Sequence, residues 1–169
     1  MIVLGIDPGT TESGWVVYHR ERRELLSCGL DDNWEMIHRI RWWDFRRIRS
    51  GDELYVIPDW IVVERIRSYG MAVGQSVFDT CEFAGRFLQE AEAGLPRDQC
   101  CRMFRGDVKM HLCGTGRAKD SNVRQVVMDR FGENRHAAVG TKKNPGPLYG
   151  VHHDIWQALA LAISFAETR

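Results

Sequence analysis

Three acidic residues stand where a carboxylate is costly unless it has a partner. Asp7 ends the apolar run 2–6 (IVLGI) and precedes Pro8-Gly9-Thr10-Thr11. Glu64 ends a second short run, 60–63 (WIVV), and Asp154 follows His152 and His153 at the opening of an apolar helical stretch. A carboxylate at the end of a buried strand must be paired, hydrogen-bonded or bound to a cation. Three such groups brought together repel one another, and hard divalent cations relieve that repulsion through oxygen ligands. Mg²⁺ or Mn²⁺ suits this donor set better than zinc, because no thiolate or imidazole set is evident nearby. Each acid also has an ordinary explanation. Asp7 could cap its own turn, Glu64 could pair with Arg65 or Arg67 on the surface, and Asp154 could cap a helix.

The elements that must position these residues follow from periodicity. Short apolar runs predict strands at 2–6, 14–19, 24–29, 60–63 and 100–104, the first three as an antiparallel meander. Asp31 or Asp32 can cap a helix running through roughly residue 50. Gly70 and Gly74 bracket a loop before a helical pattern at 75–93. Residues 119–131 place Val123, Val126, Val127 and Phe131 on one face of another helix, and 135–151 is a Pro- and Gly-containing loop. A last helix at 153–167 sets Ile155, Leu159, Ala162 and Ala166 on one side. Strands and helices in this order describe an α/β layer structure. No repeat or low-complexity tract interrupts it, so one domain over residues 1–169 is expected.

Composition narrows the class. The chain has 169 residues, 44% hydrophobic and 27% charged, which suits a globular protein with a core of ordinary size. No apolar run is long enough to span a bilayer and the first residues carry no basic leader, so a cytoplasmic setting is the expectation. Five cysteines at irregular spacing read as reduced thiols. Cys100, Cys101, His111 and Cys113 match no closed zinc site, since adjacent strand residues point to opposite faces. Twenty-three basic residues balance 23 acidic ones. Any nucleic-acid partner must therefore be held by a local basic surface.

Four ordered segments carry a family resemblance. GIDPGTTESGW (5–15) resembles the opening motif of RuvC-type Holliday-junction resolvases. VVERIRSYGMAVGQSVFDTCEFAGR (62–86), GTGRAKDSNVRQVVMDRFG (114–132) and HDIWQALALAIS (153–164) resemble the motifs that follow. The GPLYG segment (146–150) makes the likeness nearest to the small RuvC-like proteins encoded by bacteriophages, which implies a host-cytoplasmic setting. The resemblance implies an RNase H-like fold: a five-stranded mixed sheet flanked by helices, with the first and fourth strands adjacent. Asp7 and Glu64 would be neighbours, and Asp154 would join them from the last helix. It implies a Mg²⁺-dependent endonuclease, with Mn²⁺ able to substitute, in which two ions per site drive phosphodiester hydrolysis. Asp7 would bridge both ions, Glu64 serve the first or orient the water, and Asp154 serve the second.

One position departs from the family pattern. Two acids three apart are usual on the last helix, and here they match Asp154 and Gln157. Glutamine offers only a neutral carbonyl oxygen to a metal. His153 could assist, or could be an exposed helix-start residue. Asp120 is a weaker candidate ligand, since its position suits a cap.

The same resemblance suggests how DNA would be held. Tyr69 would push between bases at the junction centre, or merely fill a surface gap. Arg65 and Arg67 lie in the same loop. The basic loop 115–119 (TGRAK) offers Arg117 and Lys119 to phosphates near a helix start. The segment 39–49 (RIRWWDFRRIR) mixes arginines with aromatics. An amphipathic helix laying its aromatics on the sheet is favoured there over a nucleic-acid or dimer surface. A homodimer is expected, because a four-way junction presents two equivalent strands.

Alternatives remain at this stage. GIDPGTT also resembles the phosphate loop of actin-like ATPases, but 169 residues do not supply their two domains. RuvC-like nucleases acting on RNA share the opening motif. A catalytically weak or inactive module that only binds branched DNA is the non-enzyme reading.

Overall fold

The computed structural model describes residues 1–49, 52–68, 70 and 72–169. Three strands open the chain: β1 (Ile2–Asp7), β2 (Glu12–His19) and β3 (Glu24–Asp32). Helix α1 (Asn33–Trp42) and a hairpin of β4 (Arg46–Arg49) and β5 (Asp52–Tyr55) follow. Then come β6 (Trp60–Arg65), α2 (Gln75–Ala91), β7 (Cys100–Phe104), α3 (Arg105–Cys113), α4 (Asp120–Asp129), α5 (Arg135–Ala138) and α6 (Ile155–Thr168). The main sheet has the order β3-β2-β1-β6-β7. β1 pairs antiparallel with β2 and β2 with β3, while β6 runs parallel to both β1 and β7. This is the five-stranded mixed sheet flanked by helices that the RNase H-like fold requires, with the first and fourth sheet strands adjacent as expected.

Alternation along the strands divides the core in two. Leu4, Ile6, Trp15, Val17, Ile61 and Val63 pack against the α1–α2 side. Val3, Val16, Tyr18 and Val62 pack with α6 and the helices outside it. Gly5 lies between Val3 and Asp7, so Asp7 points to the α6 side. The same parity puts Glu64 there, two residues beyond Val62.

Helix α6 is buried nearly all round, from Ile155 to Ala166, rather than along one stripe. It lies between the sheet and a layer formed by α3 and α4, so both of its sides meet protein. Burying each of Leu159, Leu161 and Ile163 stabilises the fold by roughly 1.5–3 kcal/mol. The helix sits close to the sheet because the residues between them are small. A Cβ on Gly5 would lie 2.6 Å from the Ala158 carbonyl oxygen and 2.8 Å from the Ala162 Cβ.

The helix expected to run through residue 50 ends at Trp42. Asp32 caps its start, its side chain accepting from the Trp34 N–H. Trp43 turns into the left-handed region (φ 51°) and its N–H caps the last turn. The chain then drops Phe45, fully buried, edge-on against Trp15 at 5.1 Å. Tertiary burial of Phe45 thus wins over helix continuation, and 46–49 pairs as a strand. The aromatics of 39–49 therefore divide: Phe45 and Trp43 join the core, while Trp42 stays 73% exposed. Helix α3 was not anticipated; it starts directly at the end of β7.

Candidate active site

The turn after β1 is built without using Asp7. The Asn33 side chain donates to the Gly9 carbonyl at 3.1 Å, the Ser13 hydroxyl donates to Asn33 Oδ1 at 2.6 Å, and the Gly9 N–H donates to that hydroxyl at 3.3 Å. Ser13 and Asn33 are both fully enclosed. Sequence reading missed this pair; its only signal was Asn33 at the start of a helix that Asp32 caps. Because Ser13 and Asn33 secure the turn, the Asp7 carboxylate is left for the site.

Register brings the three acids to one end of the sheet. The parallel β1–β6 pairing ends with Ile6 opposite Val63, so Asp7 and Glu64 leave the sheet side by side. On the other flank Asp7 is paired with Gly14. The start of α6 rests on that glycine: a Cβ there would lie 2.6 Å from the Asp154 carbonyl carbon and 2.8 Å from the Ile155 nitrogen. Asp154 is exposed and occupies the cap position of α6, yet its side chain makes no capping bond. The explanation of Asp154 as an ordinary helix cap therefore fails. So does the pairing of Glu64 with Arg65 or Arg67: Glu64 is 8% exposed, and its ion pair is with Arg105 at 3.2 Å.

Electrostatics mark the pair as strained. Burial, then the negative charge of Glu64 and that of Asp154, hold the Asp7 carboxyl well above the usual carboxylate range, with Arg105 opposing. Burial also raises Glu64, against the pull of Arg105 and a hydrogen bond from Asp7. Both shifts run the same way, because burial disfavours the charged form of each carboxyl. Among the described residues, no three His, Cys, Asp or Glu side chains stand close enough to share one ion as they are. The donor set nevertheless fits a hard divalent cation. Asp7 and Glu64 leave the sheet side by side with the Asp154 charge acting on Asp7, and a cation would relieve the repulsion among them.

The remaining candidates scatter around this centre. Gln157 is half-buried one turn along α6 from Asp154, the spacing that puts both on one face. His153 is exposed with φ 43°, its ring edge-on to His152 at 5.1 Å, in the turn before α6. Asp120 is not the helix cap; Lys119 occupies that position. The Asp120 carboxylate is held by Lys109 and Arg105, each at 3.0 Å. Burial pushes its pKa up, but these two cations more than offset it, so the net shift is downward.

Arg65 and Arg67 lie over the Phe104 ring, at 4.9 and 5.6 Å from its centroid, which fixes two guanidinium groups at the same end of the sheet. Arg117 and Lys119 are exposed in the loop between α3 and α4, which Ala118 anchors by burial. Tyr69 lies outside the described residues. Arg105 is the functional candidate that sequence reading missed. Its signal was position: it follows the strand 100–104 at the same edge where Asp7 and Glu64 end theirs.

The chain superimposes on the Thermus thermophilus RuvC structure with a TM-score of 0.64 and 24% identity, over 98% of this chain and 93% of that one. T. thermophilus RuvC in complex with Holliday junction substrate matches with a TM-score of 0.59 and 22% identity, over 98% and 92% of the two chains. No family model matches the sequence, and no curated protein does. The fold is of the RuvC type along nearly its whole length.

Proposed function

We propose that this chain is a Mg²⁺-dependent, structure-selective endonuclease that cleaves Holliday junctions or other branched DNA by two-metal phosphodiester hydrolysis. One observation carries the reading: Asp7 is set between Glu64 on the neighbouring strand and Gly14, on which the Asp154 backbone rests. Three acids from three separate elements thus meet at one end of the sheet, in a fold whose structural relative is a protein solved with Holliday junction substrate. The likeness to phage-encoded proteins rests on the Glu64 loop and the GPLYG segment of the sequence. The reading treats residues 1–169 as one nuclease domain working in the cytoplasm. Among the described residues, no helix is long and apolar enough to cross a membrane.

Asp7, Glu64 and Asp154 would hold the divalent ions, with Gln157 offering a neutral oxygen. When bound, such ions supply Lewis-acid activation of water and charge stabilisation at the leaving 3′-oxygen. The protein's own part is positional. Burial of Glu64 and the strand register beside it position Asp7 and Glu64, and the α6 backbone stacked on Gly14 sets the height of Asp154. Arg65 and Arg67, steadied on Phe104, and Arg117 and Lys119 on their loop, would meet phosphates and fix the strand register. A carboxyl must be ionised to hold a cation, and burial with the Glu64 charge raises Asp7 above the usual carboxylate range, so loading is favoured by rising pH.

The test is cleavage of a labelled four-way junction, with three-way, flap and linear DNA beside it. Wild type is expected to cut branched substrates in Mg²⁺ or Mn²⁺. Asp7→Asn is expected to bind the junction and not cut it. Undiminished cutting by pure Asp7→Asn would remove Asp7 from the mechanism. A second reading, a module that binds junctions without cutting, is favoured by one observation: Glu64 is already occupied by Arg105. Tight binding with no cutting in either metal would select it. A homodimer is part of the proposal, matching the two-fold junction. Sedimentation showing monomer alone, with and without junction DNA, would remove that part.

A further inference from the structure

Arg105 is the cation at this site that the proposed chemistry does not yet use. It is the first residue of α3, one step beyond β7, and its side chain is 32% exposed. One nitrogen reaches Glu64 Oε2 at 3.2 Å and another reaches Asp120 Oδ2 at 3.0 Å. Lys109, one turn further along α3, holds the second Asp120 oxygen at 3.0 Å. The two acids differ in kind. Asp120 is half exposed and gripped by two cations, which makes it a fixed anchor. Glu64 is enclosed and faces Asp7, with Arg105 as its compensating charge.

We propose that Arg105 is a two-position residue of the cleavage site. It sits on Glu64 while the carboxylates are empty and turns to a phosphate oxygen of the DNA when they are loaded, with Asp120 as its pivot in both positions. This rests on the nuclease reading above. The physical argument is competition. The oxygen that accepts the guanidinium cannot at the same time serve fully as a ligand, so Arg105 must leave Glu64 as a divalent ion arrives. Asp120 keeps it at the rim, because that ion pair does not involve the site acids. There the guanidinium faces the incoming polyanion, and its planar fork matches a phosphate as no lysine does.

The test begins with divalent affinity in the absence of DNA, read from thermal-melt shifts and calorimetry with Ca²⁺ and Mg²⁺. Arg105→Gln is expected to bind either ion about threefold to tenfold more tightly, since a partly exposed ion pair is lost as competitor. The same variant is expected to bind a four-way junction in Ca²⁺ more weakly and to cut it more slowly. Arg105→Lys is expected to keep the competition for Glu64 but to lose part of the junction affinity. Asp120→Asn is expected to weaken divalent binding in wild type, where Arg105 then rests wholly on Glu64, and to have no effect in the Arg105→Gln background. Unchanged or weaker ion binding by Arg105→Gln would overturn the exchange. An Asp120→Asn effect equal in both backgrounds would overturn the pivot. These outcomes stand apart from the parent reading. Wild type that binds ions but never cuts any branched DNA sinks the nuclease and leaves the exchange at Glu64. Normal cutting with unaltered ion binding in Arg105→Gln does the reverse.

Discussion

Asp7, Glu64 and Asp154, the acids of the proposed site, have unequal surroundings. Glu64 is buried and Asp7 half-buried, and burial raises the pKa of both, whereas Asp154 is exposed and acts on Asp7 through its charge. Gln157, on the same face of α6, adds an oxygen without charge. Replacing it with aspartate adds a fourth carboxylate to a set already short of positive charge. That deepens repulsion in the empty site and strengthens attraction for ions. Gln157→Asp is therefore expected to keep or raise cleavage at low Mg²⁺ while lowering the melting temperature of the metal-free protein. A steep loss of cleavage across the whole Mg²⁺ range would mean that Gln157 does something a charge cannot replace.

At the level of elements, the site depends on how closely α6 approaches the sheet. Gly14 has no room for a side chain, because its nearest neighbours are backbone atoms of Asp154 and Ile155. Backbone cannot rotate away as a side chain tip can. Gly14→Ala must lift the start of α6, at a cost of about 1–3 kcal/mol in overpacking, and Asp154 moves with it. The expectation is a lower melting temperature together with a larger loss of cleavage than of junction binding. Gly85 is the control: it is interior to α2, with open space where a Cβ would stand. Gly85→Ala is expected to stabilise by roughly 0.5–1 kcal/mol through helix propensity, with cleavage unchanged. Equal effects of the two substitutions in thermal melts and cleavage assays would contradict the packing argument.

Across the whole molecule, three helices are tied at the far end of α6 from Asp154. Glu167 accepts from His111 of α3 at 2.7 Å and from Arg130 just beyond α4. Burial pushes the Glu167 pKa up, but Arg130 and His111 outweigh it and leave it lowered. A carboxylate whose folded pKa is lowered contributes stability above its unfolded pKa. That contribution is lost as pH falls through the lower, folded value. Glu167→Gln is thus expected to melt a few degrees below wild type near neutral pH, and the gap should close as pH drops below the ordinary carboxylate range. A gap of constant size down to strong acid would assign the effect to packing rather than charge. The contribution is modest because the group is over a third exposed and screened by solvent.

Strand periodicity was enough to read an α/β layer structure, and the resemblance carried by four ordered motifs implied the RNase H-like fold and the choice of Asp7, Glu64 and Asp154. Alternation is local, and a carboxylate ending an apolar run is visible without a structure. Three things were decided only by packing across the chain. The helix after Asp32 stops at Trp42, because burying Phe45 outweighs continued helical hydrogen bonding. Asp120 proved to be an ion-pair anchor, since Arg105 and Lys109 reach it from another helix. Arg105 itself gave no periodic or motif signal; parallel pairing of β6 with β7 delivers it to Glu64 across 41 positions of sequence. Asp7 was legible as a costly charge. The cation that makes Glu64 tolerable beside it comes from strand register, which only the assembled sheet specifies.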